Sequence, residues 1–228
     1  MYPEVSRYLR KRSLLYSEVL RTCKFLLKYS NEAKEARNYL NERISSSSQD
    51  NFEFGYFPKN EELQFLLERI DEKKLRALNL VYDFYYQHGN IRISNITGYF
   101  NNHNIIFPYR DIYNNIITFV GRTSLNKEEI ESLKIDKYKY IYNFKKSLYL
   151  FGIDKAKKAI VKEDKVIIVE GQIDCITCNE YGINNVVALG GVSLSKYNFE
   201  LLFRYTDKIV LLLDNDKAGD KAQNKLIN

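Results

Sequence analysis

The chain has 228 residues, 45% of them hydrophobic, enough for one large domain or two small ones with real cores. Its net charge of +6, from 35 Lys and Arg against 29 acidic residues, favours an anionic partner. Three cysteines are too few for a disulfide scaffold, and no apolar run approaches the ~18 residues of a membrane span. The expectation is therefore a soluble cytoplasmic protein without a membrane partner.

In chain order, the most basic stretch comes first: residues 7–12 (RYLRKR) read as a short arm over 1–12, solvated or in contact with phosphate. Over residues 13–43 the apolar positions recur at helical spacing, from Leu14, Leu15, Val19 and Leu20 to Tyr39 and Leu40. The pattern predicts two helices broken near residues 29–32, with Ser30 or Asn31 capping the second. Residues 45–50 (SSSSQD) form a loop able to cap the next element. Residues 52–58 (FEFGYFP) read as a short extended stretch and residues 60–70 as an amphipathic helix. Between about Ile91 and Val120 short strands take over, with a hairpin turn at residues 111–115. Residues 151–164 return to helix. The 19 Tyr and 13 Phe, with no Trp, read first as the composition of an AT-rich coding sequence and only second as a stacking surface.

From Lys165 onward apolar strands alternate with amphipathic helices: strand 166–169, helix 174–181, strand 186–188, helix 195–204 and strand 209–213. A final helix begins near Ala218. Such alternation predicts a parallel sheet covered on both faces, with ligands at the carboxyl ends of its strands. Two of these strands end in acid, one at Glu170-Gly171 followed by Asp174, the other at Asp214 and Asp216. In a right-handed wound sheet both ends share an edge, and Asp214 and Asp216, two apart, point to one side. Carboxylates gathered there repel unless a hard divalent ion such as Mg²⁺ or Mn²⁺ binds them. The plainer alternative for each is a helix cap. The Cys175-x-x-Cys178 pair has no second pair and no nearby His, so it reads as packing against the sheet, with no zinc site.

Three segments together carry a resemblance: Glu170-Gly171-Gln172-Ile173-Asp174, Leu189-Gly190-Gly191-Val192-Ser193 and Asp214-Asn215-Asp216-Lys217-Ala218-Gly219. This arrangement resembles the Toprim domain of bacterial-type primases, topoisomerases and some nucleases. Upstream, EARNYLNERISS, FGYFP, IIFPYRD, FVGR and LYLFGIDKA look like the catalytic core of DnaG-type DNA primases, so the resemblance runs from about Leu14 to the last residue. It implies an α/β protein with an α+β N-terminal subdomain over 13–160 and a Toprim, Rossmann-like parallel sheet over 161–228, incomplete at its C-terminus.

The activity implied is synthesis of short RNA primers on single-stranded DNA, by metal-dependent nucleotidyl transfer from ribonucleoside triphosphates. Asp214 and Asp216 would be metal ligands, Glu170 a ligand or a general acid/base, and Asp174 a group that orients them. Lys139 and Lys146 match family positions, and with Arg110 and Arg122, which suit bidentate contacts, they would meet nucleotide or template phosphates. A replicative helicase is the partner expected for a full-length protein of this kind. The chain departs from the family in lacking zinc-ligand spacing, and in Asn104, Val192 and Ser147, where the family tends to have Arg, Thr and Gly. The alternatives are a non-catalytic remnant that binds single-stranded DNA and a Toprim-type nuclease.

Overall fold

The computed structural model describes residues 3–88, 91–191 and 193–213. They form two compact units: the chain up to Pro108 with Ile116–Phe144, and Tyr109–Asn115 with the chain from Lys145 onward. The fold is α/β, as expected, mixing an antiparallel sheet with a parallel one.

In the first unit, helix α1 (Pro3–Tyr29) opens with the residue best suited to a first helical position. Residues 7–12 are thus wound into this helix and do not stand apart as an arm, and the Arg12 guanidinium donates to the Ala77 carbonyl at 3.0 Å. Tyr16, Val19, Leu20, Cys23, Leu26 and Leu27 form its buried stripe. The expected break follows, but helix α2 (Lys34–Asn41) is entered through Ala33 without a side-chain cap. Ser30 bonds Glu32 instead, and Arg37 Nη1 donates to the Leu27 and Ser30 carbonyls at 2.8 and 2.6 Å, satisfying the end of α1.

Residues 45–50 are not simply a loop: Ser45 caps a short helix, α3 (Ser46–Asn51), by accepting from the Ser48 amide. Strand β1 (Gly55–Tyr56) realises the extended stretch. The helix expected over 60–70 breaks into a 3₁₀ turn (Asn60–Glu62) and α4 (Gln64–Leu67), and Asp71 then caps α5 (Glu72–Ala77). Strands β2 (Val81–His88) and β3 (Ile91–Gly98) form a two-stranded antiparallel ribbon.

Strands β4 (Ile105–Arg110) and β5 (Ile116–Arg122) flank the predicted turn, where Asp111 Oδ1 accepts from the Tyr113 and Asn115 amides at 2.9 Å. A capping box at Asn126 and Glu129 opens α6 (Lys127–Leu133), and β6 (Tyr138–Tyr140) completes a sheet in the order β1-β4-β5-β6. α1 lies directly on this sheet, with Tyr16 edge-on to Phe119 at 4.9 Å. Phe57, Leu66, Phe100 and Ile106 fill the same core.

In the second unit, α7 (Ile153–Glu163), β7 (Val166–Val169), α8 (Gln172–Glu180), β8 (Val186–Ala188), α9 (Lys196–Leu202) and β9 (Ile209–Leu212) alternate as predicted. Among the described strands the order is β8-β7-β9, all parallel, with Ile168 opposite Val187 and Leu211. Glu170 directly follows β7, which is the middle one of these three described strands. Ile153, Ile160, Ile168, Val187 and Leu202 pack as the core. Val210 and Leu212 of β9 are 44% and 59% exposed, and the final helix expected near Ala218 lies outside the described residues.

One close approach is diagnostic. A Cβ on Gly121 of β5 would stand 2.3 Å from Phe100 Cδ1 and 2.6 Å from the His103 carbonyl. Gly121→Ala is expected to destabilise the chain by about 1–3 kcal/mol, read as a lower urea midpoint with an unchanged slope.

Candidate nucleotide and nucleic-acid site

In the second unit the carboxyl edge of the parallel sheet is built by short-range backbone bonds. Glu170 follows β7 directly, and its carbonyl accepts from the Gly190 amide at 2.9 Å while Val169 accepts from Leu189 at 3.1 Å. Gly190 and Gly191 then turn away with φ of 70° and 80°, which glycine adopts without strain. Gly171 has a different reason to be glycine. The Asp174 carboxylate folds back to accept from the Gly171 amide at 3.0 Å, and a Cβ on Gly171 would stand 2.6 Å from that oxygen.

Asp174 is therefore the cap of α8, the plainer of its two readings, and it fixes the turn that carries Glu170. Buried Gln172 donates to Tyr109 Oη at 3.2 Å and ties the first turn of α8 to the end of β4. Asp214 and Asp216 lie outside the described residues. Leu212 pairs with Val169, so β9 runs out at the edge where Glu170 sits. A carboxylate at this edge is a hard oxygen donor of the kind divalent ions take. Among the described residues no group of three metal-ligating side chains gathers.

Arg110 and Lys146 also belong to this unit. Arg110 Nη1 donates to the Asn114 carbonyl at 2.9 Å, across the tight turn. Lys146 opens a 3₁₀ turn (Lys146–Leu148), and Ser195, the cap of α9, donates to the Ser147 carbonyl within it. Cys175 is buried, its thiol directed at the Val186 carbonyl, and burial pushes that thiol well above its ordinary range.

In the first unit β5 and β6 pair with Arg122 opposite Tyr138 and Gly121 opposite Lys139, which sets Arg122 and Lys139 one pair apart on opposite faces of the sheet. The Arg122 guanidinium lies 4.6 Å from the Tyr39 ring centroid and 5.1 Å from that of Tyr138. Its Nε and Nη1 are buried without a hydrogen-bond partner. Arg43 covers the Tyr39 ring as well, at 4.2 Å. Sequence reading passed over Arg43 and Tyr39, although four-residue spacing of a cation and an aromatic ring near a helix end signals such a contact.

Lys139 donates to the Tyr99 carbonyl at 2.7 Å and stands 4.3 Å from the Tyr99 ring centroid, and burial lowers its pKa. His103 shares this neighbourhood. Its Nε2–H donates to the Asp136 carbonyl at 2.8 Å, and its pKa is lowered chiefly by burial, against the pull of that bond and with help from the Lys139 charge.

Comparison with known proteins fits both halves. The family described as DNA primase catalytic core, N-terminal domain, matches residues 24–157, and a Toprim-like family matches residues 167–228. The DNA primase of Rickettsia prowazekii is 34% identical over 200 residues, covering 85% of this chain and 31% of that protein. A crystal structure of the Aquifex aeolicus primase zinc-binding and RNA polymerase domains superposes with a TM-score of 0.71 at 28% identity, over 93% of this chain and 51% of that one.

The RNA polymerase domain of the Mycobacterium tuberculosis primase DnaG, in complex with a double-stranded DNA oligomer with a 6-nucleotide overhang, gives 0.73 at 25% identity, over 96% and 68%. The fold is that of these primase domain structures. The chain belongs to the DnaG-type DNA primase family. It spans about a third of the length of the curated primases it matches, 31% of the Rickettsia protein. Toprim primases as a family depend on metal ions.

Two outcomes are expected from these contacts. Buried guanidinium donors without partners cost about as much as the aromatic stacking returns, so Arg122→Met should change unfolding free energy by less than about 1 kcal/mol. A larger loss in urea titration would make Arg122 a structural residue. His103 should give an acid-side slope: with its folded pKa lowered, the unfolded chain binds the proton first, so stability is full above about pH 6.5 and falls as pH drops below it. His103→Asn should flatten that slope in urea titrations at about pH 7.5 and pH 5.5.

Proposed function

We propose that this chain is a primase catalytic core that makes short RNA primers on a single-stranded DNA template, with its N-terminal subdomain over 13–160 and its Toprim domain over 161–228. The observation that carries the reading is the ordered carboxyl edge at Glu170, Gly171, Asp174 and Gly190, in a chain whose other half presents Arg122 and Lys139 on paired strands. The reaction is nucleotidyl transfer, in which a primer 3′-OH attacks the α-phosphate of a ribonucleoside triphosphate and pyrophosphate leaves.

Glu170, Asp214 and Asp216 would hold Mg²⁺ or Mn²⁺. Such an ion, when bound, supplies charge neutralisation on the triphosphate and acidifies the attacking hydroxyl. Asp174 fixes the α8 turn and through it the Glu170 carboxylate. Arg122, whose guanidinium lies against the Tyr39 and Tyr138 rings, would contact phosphate oxygens, as would Arg110, Lys139 and Lys146. In a longer protein of this kind a replicative helicase would deliver the template. The proposed place of work is the cytoplasm. Among the described residues no helix is long and apolar enough to cross a membrane.

The test begins with Mn²⁺ calorimetry on the chain and on its Asp214→Asn/Asp216→Asn variant, followed by ribonucleotide incorporation on single-stranded DNA. Saturable binding lost in the variant, with template-dependent synthesis, is the expected result. Strand cleavage would point to a nuclease. EDTA-insensitive DNA binding without synthesis would leave a binding remnant.

A further inference from the structure

The β2–β3 ribbon carries Tyr82, Phe84 and Tyr86 at alternate positions of one strand, so all three side chains stand on one face. They are 42%, 55% and 41% exposed, a row of large rings that folding leaves uncovered. Alternate residues of a strand lie about 6.6–6.8 Å apart, close to the step between bases of an extended single strand.

The row has a charged end and a neutral end. Tyr82 stands edge-on to Tyr99 at 6.5 Å, and Tyr99 carries the Lys139 ammonium over its ring. Lys134 and Lys139, with Asp136 as the one acid, line the cavity of about 360 Å³ beside Tyr82. Phe84 and Tyr86 border a second hollow of about 630 Å³, where Asn60, Gln64 and Asn95 offer amides and Glu61 is the acid. On the ribbon's other face Asp83 is held by Arg76 at 3.2 and 2.7 Å.

We propose that Tyr82, Phe84 and Tyr86 form a stacking ladder for consecutive bases of the single-stranded template, with phosphate entering at Lys134 and Lys139. The proposal rests on the primase reading above and assigns to it a contact that none of the sequence motifs contains. Charge decides the class of occupant. Cations gather at one end of the row and its body is aromatic and amide, which suits a strand whose bases stack and whose phosphates turn outward. An acidic peptide would need cations along the row, and among the described residues of that face there are none. Codon bias alone supplies tyrosines, but it does not keep three rings on one face of a ribbon and exposed.

The test is fluorescence anisotropy with a labelled oligothymidylate of about 12 nucleotides and an abasic strand of equal length. The wild-type chain is compared with Phe84→Ala/Tyr86→Ala and with the conservative Phe84→Tyr/Tyr86→Phe, and circular dichroism checks each fold. The alanine pair should weaken oligothymidylate binding at least about tenfold, leave abasic binding and the salt slope unchanged, and be rescued by the conservative pair. Lys139→Gln should instead reduce the salt slope by about one.

If the alanine pair binds both strands as the wild type does, the ladder is overturned while template binding stands. Equal losses on both strands would also overturn it, because bases would not be the contact. If the wild-type chain binds neither strand, the template reading fails and the ladder with it.

Discussion

The close approach at Gly121 governs how the first unit presents its cations. With hydrogen in place of a Cβ, the Phe100 ring and the His103 carbonyl press against the β5 backbone. That contact seats the residues 99–103 turn, so the Tyr99 carbonyl and ring are in place to receive Lys139 from β6, and His103 reaches the Asp136 carbonyl. The β5–β6 pairing then sets Arg122 opposite Tyr138. Each step is short-range once the glycine is given. The candidate site in this unit is therefore a consequence of core packing, and no separate binding loop carries it.

A parallel logic holds the second unit. Glycine at 171 leaves room for the Asp174 carboxylate to close on the backbone, and that closure sets the start of α8 immediately after Glu170. Gly190 bonds the Glu170 carbonyl from the neighbouring strand end. The Glu-Gly-x-x-Asp spacing is thus explained by a cap and a turn before any metal is considered. An acid that also caps a helix has its charge partly spent on the helix terminus, as Asp174 does at α8.

Much of the fold was legible because period and punctuation agreed. The strand-and-helix alternation after Lys165 and the Asp111 turn were read correctly from apolar runs bounded by turn residues. Local chemistry misled where a long-range bond took over a local role. Ser30 and Asn31 looked like caps for α2, yet Arg37 reached back to the end of α1, a bond that depends on how two helices meet. The serine run at 45–48 was expected to be a loop able to cap the next element, and the cap holds through Ser45, but the helix it starts takes up the rest of the run. The aromatic cage around Arg122 was invisible in one dimension, since Tyr39 and Tyr138 lie far from it in sequence or on another strand.

The aromatic surroundings of Arg122 and Lys139 orient these two cations without an ion pair among the described contacts. A carboxylate partner would orient Arg122 too, but an incoming phosphate would then have to displace it, and the ion-pair energy would be subtracted from binding. A ring face orients the guanidinium through its π density and leaves the in-plane N–H donors unspent. Lys139 is likewise held by an aromatic ring, that of Tyr99, and donates to the Tyr99 carbonyl. Arg76, which meets both Glu72 and Asp83, shows the contrary arrangement in the same unit. There the charge is consumed in holding α5 to the ribbon, which is why a count of cations locates no site here and the identity of their neighbours does.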